Sequence, residues 1–151
     1  MTRISAEVNN AAGIHEALVA TEGGERHLTL PAKAGAPGSA VNGGELLMLA
    51  LATCYCNDLY REAQRLDIPI AGCKVVATAE FNGVGRAAES ITYRAQVESS
   101  ASADDIERLL TETDRLAEIH NTLRSGCPVR RVDWHEPRAE AGESQDPALP
   151  L

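Results

Sequence analysis

The sequence predicts an α+β fold in which helices pack on a mainly antiparallel sheet, in the order β-β-β-α-β-β-α-β. Alternating apolar and polar residues fill the beginning of the chain, a long apolar stretch that becomes amphipathic occupies the middle, and a second alternating region precedes apolar residues at helical spacing. The 151 residues, 44 % of them hydrophobic, suffice for one domain with a core. We expect that domain to span residues 1–135.

Three short antiparallel strands are predicted at the start of the chain. They cover residues 3–8, 13–20 and 26–30. The segment Glu22-Gly23-Gly24-Glu25 has the composition of a hairpin turn. Residues 31–42 are rich in Pro, Gly, Ala and Ser and have no period, which indicates a connection that leads to the next element.

A central helix is predicted for Gly43 to Leu66. Residues 46–52 are all apolar, so this half needs cover on every side. The other half is amphipathic, and its predicted exposed face carries Asp58, Arg61, Glu62 and Arg65. One chain with two helices cannot cover the apolar half alone, which favours a homodimer. The apolar run is too short to cross a membrane, so we expect no membrane partner.

The remaining elements are two strands, a second helix and a last strand. Gly72 opens a strand that runs to Phe81, and residues 91–97 form its partner. Ser102 and Asp105 resemble a capping box, and the helix that follows should end near Ser125-Gly126. Residues 129–135 predict the last strand, and residues 136–151 a disordered tail.

Composition excludes some classes of function. A formal net charge of -8 argues against a nucleic-acid partner, because phosphate binding relies on a basic patch. The chain opens without an apolar signal segment, so we expect a cytoplasmic protein with reduced cysteines. Its four cysteines form no CxxC pair and no Cys/His cluster of the zinc type, so neither a structural metal nor a cofactor is expected.

The two cysteines of the central helix are predicted to differ in environment. Cys56 lies on the core face, as expected of an inert thiol that packs like a small hydrophobe. Cys54 projects about 200° away from it, where apolar surface meets charge. Arg61 on that side would favour its thiolate and Asp58 would oppose it, and the sequence leaves both outcomes open. Cys73 is interpreted as structural and His120 as a core histidine.

The segment GGELLMLALATC, residues 43–54, resembles the central-helix motif PxELLxAALxxC of the OsmC/Ohr superfamily, which comprises osmotically inducible protein C and the organic hydroperoxide resistance proteins. The resemblance implies an α+β fold whose two chains intertwine as a homodimer around their long helices. It also implies a thiol peroxidase for oxidative stress defence that reduces small organic hydroperoxides at the expense of a thiol reductant. Cys54 would be its attacking thiolate.

In that chemistry a second cysteine closes a disulfide, and a carboxylate and an arginine assist. Glu45 is the candidate carboxylate, although the family places it one position earlier, and Arg26 is the candidate arginine, with Lys33 as an alternative. CPV at Cys127 resembles the resolving motif. However, AEIHNTLRSG, residues 117–126, resembles the segment that starts at that motif, which would put Ala117 at the position of the second cysteine and Cys127 on the last strand.

Two other hypotheses are compatible with the sequence. One is a non-catalytic homodimeric module that binds a small apolar ligand between the central helices. The other is a Cys54-dependent reaction on an unknown substrate.

Overall fold

The computed structural model describes residues 1–135 and has the predicted α+β architecture. Its strands are β1 (Ile4–Ala11), β2 (Ile14–Thr21), β3 (Gly24–Leu28), β4 (Gly72–Phe81) and β5 (Ala88–Glu98), and its helices are α1 (Gly43–Leu66), α2 (Ala103–Leu116) and α3 (Glu118–Ser125). The predicted tail, residues 136–151, lies outside the described residues, and the proposed domain boundary stays a prediction. None of the described helices is both long and apolar enough to span a membrane.

The strands form two separate antiparallel sheets. One is the meander β1-β2-β3 and the other is the hairpin β4-β5. Both connections in the meander are two-residue turns whose residues have positive φ, Ala12 at 51° and Gly13 at 79°, then Glu22 at 49° and Gly23 at 84°. This is the conformation that closes tight hairpins and that favours glycine. The predicted turn after β2 is therefore confirmed.

Helix α1 begins and ends at defined caps. The Asn42 side chain accepts a hydrogen bond from the Glu45 amide at 2.9 Å, and Glu45 Oε2 accepts one from the Asn42 amide at 2.8 Å. This reciprocal capping box satisfies two backbone donors that a helix start leaves free. Asp67 ends the helix in the left-handed conformation, with φ at 55°. The predicted bounds of α1 are confirmed.

The core lies where α1 packs on α2 and on β4. Its buried members are Tyr55, Leu59, Ala63, Ile68, Leu109 and Ala117. The predicted exposed face of α1 is partly wrong, because Asp58 and Glu62 are only 5 % and 2 % exposed. Tyr60, predicted on the apolar face, is 48 % exposed. The buried stripe is rotated because α2 and α3 cover the side of α1 that carries the two acids.

Arginines make the burial of Glu62 possible. Arg65 Nε donates to one of its carboxylate oxygens at 2.6 Å and Arg61 Nε to the other at 3.2 Å. Burial alone would raise the pKa of Glu62, but these two hydrogen bonds lower it. A carboxylate with both oxygens bonded in this way can stay charged inside the fold.

The second helix is interrupted where the sequence predicted one continuous helix. Ala117 has an extended backbone, with φ at -67° and ψ at 105°, and separates α2 from α3. The Asn121 side chain donates to the Arg115 carbonyl across the break at 3.0 Å, which satisfies an acceptor that the helix no longer uses. The break places the beginning of α3 beside the middle of α1.

The predicted last strand is not formed in the part of the chain that the structure describes. Residues 129–133 have no regular structure, and Val129 and Trp134 are 98 % and 90 % exposed. A strand requires a neighbouring edge whose amide and carbonyl groups it can pair with, and no described strand pairs with this segment. The alternation of apolar and polar residues is therefore not sufficient to form a strand in this segment.

Part of the apolar surface of α1 is uncovered within one chain. Leu49, in the half that was predicted to be buried on all sides, is 60 % exposed. Four large apolar side chains of the meander are also exposed, namely Ile4 at 71 %, Val8 at 59 %, Ile14 at 60 % and Leu28 at 45 %. The single chain thus presents two apolar surfaces, one on α1 and one on the meander.

Leu109→Ala is expected to destabilise the fold by about 3 kcal/mol, because it leaves a cavity at a fully buried contact between α2 and α1. Chemical denaturation followed by circular dichroism would measure the change in the free energy of unfolding. Val84→Ala is the control, because Val84 is fully exposed in the β4-β5 loop and should change stability little. Equal effects of the two substitutions would contradict the described core.

Candidate functional site

Cys54 lies on α1 in contact with an acid and with the beginning of α3. Its thiol donates a hydrogen bond to Asp58 Oδ2 at 3.4 Å, one turn further along the helix. The backbone of Ile119 bonds to the Cys54 sulfur from the first turn of α3. The Cys54 sulfur and one carboxylate oxygen each of Asp58 and Glu118 all lie within 4.8 Å of one another. The half-buried thiol is therefore enclosed by two carboxylates and a helix N-terminus.

Arg61 binds the carboxylates of this cluster. Its Nη1 lies 2.9 Å from Asp58 Oδ1 and 3.6 Å from Glu118 Oε1. The guanidinium joins the two acids and leaves Asp58 Oδ2 to the thiol of Cys54. Arg61 thus stabilises the thiolate only indirectly, by partly neutralising the neighbouring acids.

The environment favours the protonated form of Cys54. Burial raises the pKa of the Cys54 thiol, and the charges of Asp58 and Glu118 raise it further. The hydrogen bond from the Ile119 backbone acts in the opposite direction. Of the two outcomes that the sequence left open, the structure favours the one in which Asp58 outweighs Arg61.

Asp58 is suited to exchange a proton with Cys54. Burial raises the pKa of Asp58, although the hydrogen bond from Cys54 and the charge of Arg61 lower it again. A thiol of raised pKa therefore donates to a carboxylate of raised pKa. Such an acid can take a proton from the thiol and return it to a leaving group.

The other site residues predicted from the sequence lie elsewhere. Glu45 is engaged in the capping box of α1, Arg26 is exposed on β3, and Cys127 is exposed after the end of α3. Within residues 1–135, no hydrogen bond or ion pair joins Cys54 to any of these three. Their roles stay predictions.

Two groups of the cluster were missed by the sequence analysis. Asp58 was recognised as a neighbour because it lies four residues after Cys54, a spacing that puts both on one helix face. Glu118 and the Ile119 backbone had no such signal, because they reach Cys54 only through the break at Ala117. The alignment of residues 117–126 with the family segment was the one feature that pointed to this region.

Among the described residues, Cys54, Asp58 and Glu118 form a group whose ligand atoms lie close enough together to hold a metal ion. However, Arg61 already binds both carboxylates, and a cation would have to displace it. The arrangement is better suited to moving a proton than to holding a metal.

A cleft of about 290 Å³ is lined by residues of α1, β5 and α3, and none of the residues of the Cys54 cluster is among them. His120 lines it, 4 % exposed, with its ring 4.5 Å from that of Tyr93, and both of its nitrogens lack hydrogen-bond partners within the described structure. Burial lowers the pKa of His120, so the ring is neutral. Leu51 and Arg124 contribute an apolar wall and a cationic edge. The cleft could accept a small, largely apolar molecule.

The sequence matches the model of the OsmC-like protein family over residues 36–131. The chain belongs to this family. The match includes all of α1 and the beginning of α3, and therefore every residue of the Cys54 cluster. The resemblance of residues 43–54 to the OsmC/Ohr motif is thereby confirmed. None of the curated protein sequences compared with this chain is similar enough to count as a match.

Solved structures of OsmC-like proteins have the same fold. The OsmC-like protein of Mycoplasma pneumoniae is similar with a TM-score of 0.57 and 20 % identity, over 82 % of this chain and 87 % of that one. An organic hydroperoxide resistance protein of Legionella pneumophila has a TM-score of 0.54 and 15 % identity, over 81 % and 89 %. An organic hydroperoxide resistance protein of Elizabethkingia anophelis has a TM-score of 0.53 and 15 % identity, over 81 % of this chain and 88 % of that one. The predicted OsmC-like fold class is confirmed.

Proposed function

We propose that this OsmC-like protein reduces organic hydroperoxides in oxidative stress defence, with Cys54 as the attacking thiol. Two solved relatives of the same fold are named organic hydroperoxide resistance proteins. The observation that carries the proposal is the hydrogen bond from the Cys54 thiol to the buried Asp58, because it joins a nucleophile to a proton acceptor inside the matched region.

The reaction needs one proton transfer in each direction. Asp58 accepts the thiol proton as the Cys54 sulfur attacks an oxygen of the peroxide, and the O–O bond breaks. The departing alkoxide takes the proton from Asp58 and leaves as an alcohol. Cys54 retains the other oxygen as a sulfenic acid. The hydrogen bond from the Ile119 backbone supports the sulfur while it carries negative charge.

Asp58 takes the place that the family resemblance gave to Glu45. Glu45 is bound to the Asn42 amide at the beginning of α1, and Asp58 is bound to Cys54 itself. The role of assisting arginine stays open to Arg26, which is exposed on β3 and makes no ion pair with another residue of the described part. Arg61 holds Asp58 in position.

The protein is proposed to act as a homodimer. The exposed Leu49 on α1 and the exposed apolar side chains of the meander support this, because uncovered apolar area of this kind is typical of an interface. Light scattering at micromolar concentration should give twice the mass of one chain. A monomer under these conditions would contradict the proposal.

The sulfenic acid must be captured by a second thiol. Cys127 follows Ile119 by eight residues, and a helix of that length spans about 12 Å. The two Cα atoms of a disulfide lie within about 7 Å of each other. Since Ile119 contacts Cys54, a Cys54 to Cys127 disulfide would require α3 to move. We therefore propose an external thiol as the reductant.

Cys127→Ser is expected to leave turnover with excess dithiothreitol unchanged within about twofold, because the external thiol reaches Cys54 directly. Steady-state consumption of cumene hydroperoxide measures this, with Cys54→Ser as the inactive reference. If Cys127 is the resolving thiol, the variant will stop after one turnover with Cys54 over-oxidised, and a Cys54 to Cys127 disulfide will appear in the peptide map of the wild type.

The decisive experiment for the proposed function is a single turnover with trapping. Reduced protein is mixed with one equivalent of cumene hydroperoxide in the presence of dimedone, which labels sulfenic acids, and the labelled peptide is identified by mass spectrometry. We expect the label on Cys54 and an equivalent amount of cumyl alcohol. If the peroxide persists with Cys54 unmodified, the proposal is wrong.

The cleft lined by His120 supports an apolar-ligand module as a second candidate, with the ligand inside one chain and not between the central helices, where the sequence analysis expected it. In that case a small apolar ligand should bind without consuming thiols, and Leu123→Trp, a larger side chain at a partly exposed position of the lining, should abolish binding. The trapping experiment separates the two functions, because a binding module leaves Cys54 unlabelled.

A further inference from the structure

The other two cysteines of the core region form a close pair. Cys56 Sγ on α1 lies 3.2 Å from Cys73 Sγ on β4, and both residues are half-buried. A disulfide has an S–S distance of about 2.05 Å, so the two sulfurs need to approach by only about 1.1 Å. This is a contact between two thiols that the sequence analysis interpreted as inert and structural.

We propose that Cys56 and Cys73 are a second redox site, which forms a reversible disulfide joining α1 to β4. It is separate from the site at Cys54, since the two cysteines of α1 project about 200° apart around the helix. The proposal does not depend on the function proposed for Cys54.

Rigid elements hold the two thiols in place. Cys56 belongs to a capped helix, and Cys73 to a strand that is paired along its length with β5 and packs against the core cluster. Helix α1 and strand β4 are in direct contact. Because both elements are ordered in the reduced protein, closing the disulfide costs little further conformational entropy.

The protonation of the pair assigns an order to the two thiols. Burial raises the pKa of Cys73 to about 11, and the neighbouring Cys56 contributes to the rise, while a hydrogen bond from the Tyr60 hydroxyl opposes it. Cys73 is therefore protonated at neutral pH, and in the contact between the two sulfurs either thiol can be the donor. A protonated thiol is a poor nucleophile toward a peroxide, which disfavours Cys73 as the first thiol to react and suits it to the second step.

An organic hydroperoxide can drive the oxidation in two balanced steps. The Cys56 thiol attacks one peroxide oxygen, the O–O bond breaks, and an alcohol leaves with the thiol proton, so that Cys56 becomes a sulfenic acid. The Cys73 sulfur then attacks the Cys56 sulfur, the S–O bond breaks, and hydroxide leaves with the Cys73 proton as water. The pair loses two electrons and the peroxide gains them.

The test uses the full chain carrying Cys54→Ser and Cys127→Ser, in which this pair provides the only thiols. After treatment with tert-butyl hydroperoxide, we expect both thiols to be lost, a mass decrease of about 2 Da, and one cross-linked peptide that dithiothreitol separates. The oxidised form should melt about 5–10 °C higher than the reduced form, because the disulfide closes a loop between residues 17 apart.

The matched control adds Cys73→Ser to the same background. Without its partner, Cys56 should gain oxygen and no cross-linked peptide should form within the chain. The proposal is overturned if the parent variant behaves like this control, or if its disulfides join different chains. Because the parent variant lacks Cys54, either result leaves the proposed peroxidase function untouched, and failure of the trapping experiment at Cys54 leaves this proposal untouched.

Discussion

Asp58→Asn is expected to accelerate the alkylation of Cys54 and to slow hydroperoxide reduction. The substitution removes the buried carboxylate that bonds to the thiol and helps to keep it protonated. With one negative charge fewer beside the sulfur, the pKa of Cys54 should fall. Iodoacetamide reacts with the thiolate, so its rate of reaction with Cys54 at pH 7 should rise severalfold.

Reduction of hydroperoxide should change in the opposite direction. The amide of Asn cannot take the thiol proton and return it to the departing alkoxide, and loss of a general acid and base costs on the order of 10²-fold. Stopped-flow mixing with cumene hydroperoxide measures this rate. A misfolded variant would also expose the thiol to alkylation and lose activity, so Asp58→Asn must retain the wild-type circular dichroism spectrum for the two opposite effects to be assigned to the carboxylate.

The stability of Asp58→Asn provides an independent check. The folded protein raises the pKa of Asp58 above its unfolded value, so the stability associated with this group is complete below the unfolded pKa and falls as pH rises through the folded pKa. At pH 7 the neutral Asn should therefore not lower the melting temperature. Asp104→Asn, at an exposed position in the first turn of α2, is the matched control and should change neither rate. If both rates of Asp58→Asn fall together, Asp58 does not act as proposed.

Ala117→Cys is expected to convert the oxidised form of Cys54 from a sulfenic acid into an intrachain disulfide. Ala117 is fully buried at the break between α2 and α3, directly before the two residues that contact Cys54. It is also the position that the resemblance of residues 117–126 to the family segment would give to the second cysteine, with Cys127 as the alternative. Because its neighbours Glu118 and Ile119 lie at the Cys54 sulfur, we expect a thiol introduced at position 117 to reach that sulfur.

Peptide mapping after one equivalent of hydroperoxide should therefore show nearly complete cross-linking of Cys54 to the introduced cysteine, with dimedone labelling of Cys54 reduced at least tenfold. The extra sulfur in a filled site should cost about 1–3 kcal/mol, which thermal melting would detect. Ala103→Cys, at an exposed position at the start of α2, is the control and should give no cross-link. A persistent sulfenic acid in Ala117→Cys would contradict the described contact between α3 and Cys54.

Local signals explain the elements that the sequence predicted correctly. The strands of the meander follow from alternation and tight turns, and the bounds of α1 follow from helical spacing of apolar residues that begins after Asn42 and stops before Asp67. The break at Ala117 has no local signal, because neither Gly nor Pro occurs there and helical spacing continues through it. Packing of α3 against α1 overrides the propensity of this segment.

Only the part of the candidate site that lies within α1 could be predicted from the sequence. Cys54 and Asp58 are one helical turn apart, so their proximity follows from α1 alone. The burial of Asp58 could not be predicted, because charged residues normally mark the solvent face and only the position of α3 shows otherwise. The approach of Cys73 to Cys56 likewise depends on how β4 packs against α1.

The division of the chain into two sheets has a consequence for the kinetics of folding. Helix α1 packs on β4 and α2 through contacts within one chain, so this part can form in a first-order step. The meander leaves Ile4, Val8 and Ile14 exposed, and a small sheet without a covered apolar face is marginally stable. In the proposed dimer the meander gains its cover only on assembly, so its ordering becomes a second-order step whose rate rises with protein concentration.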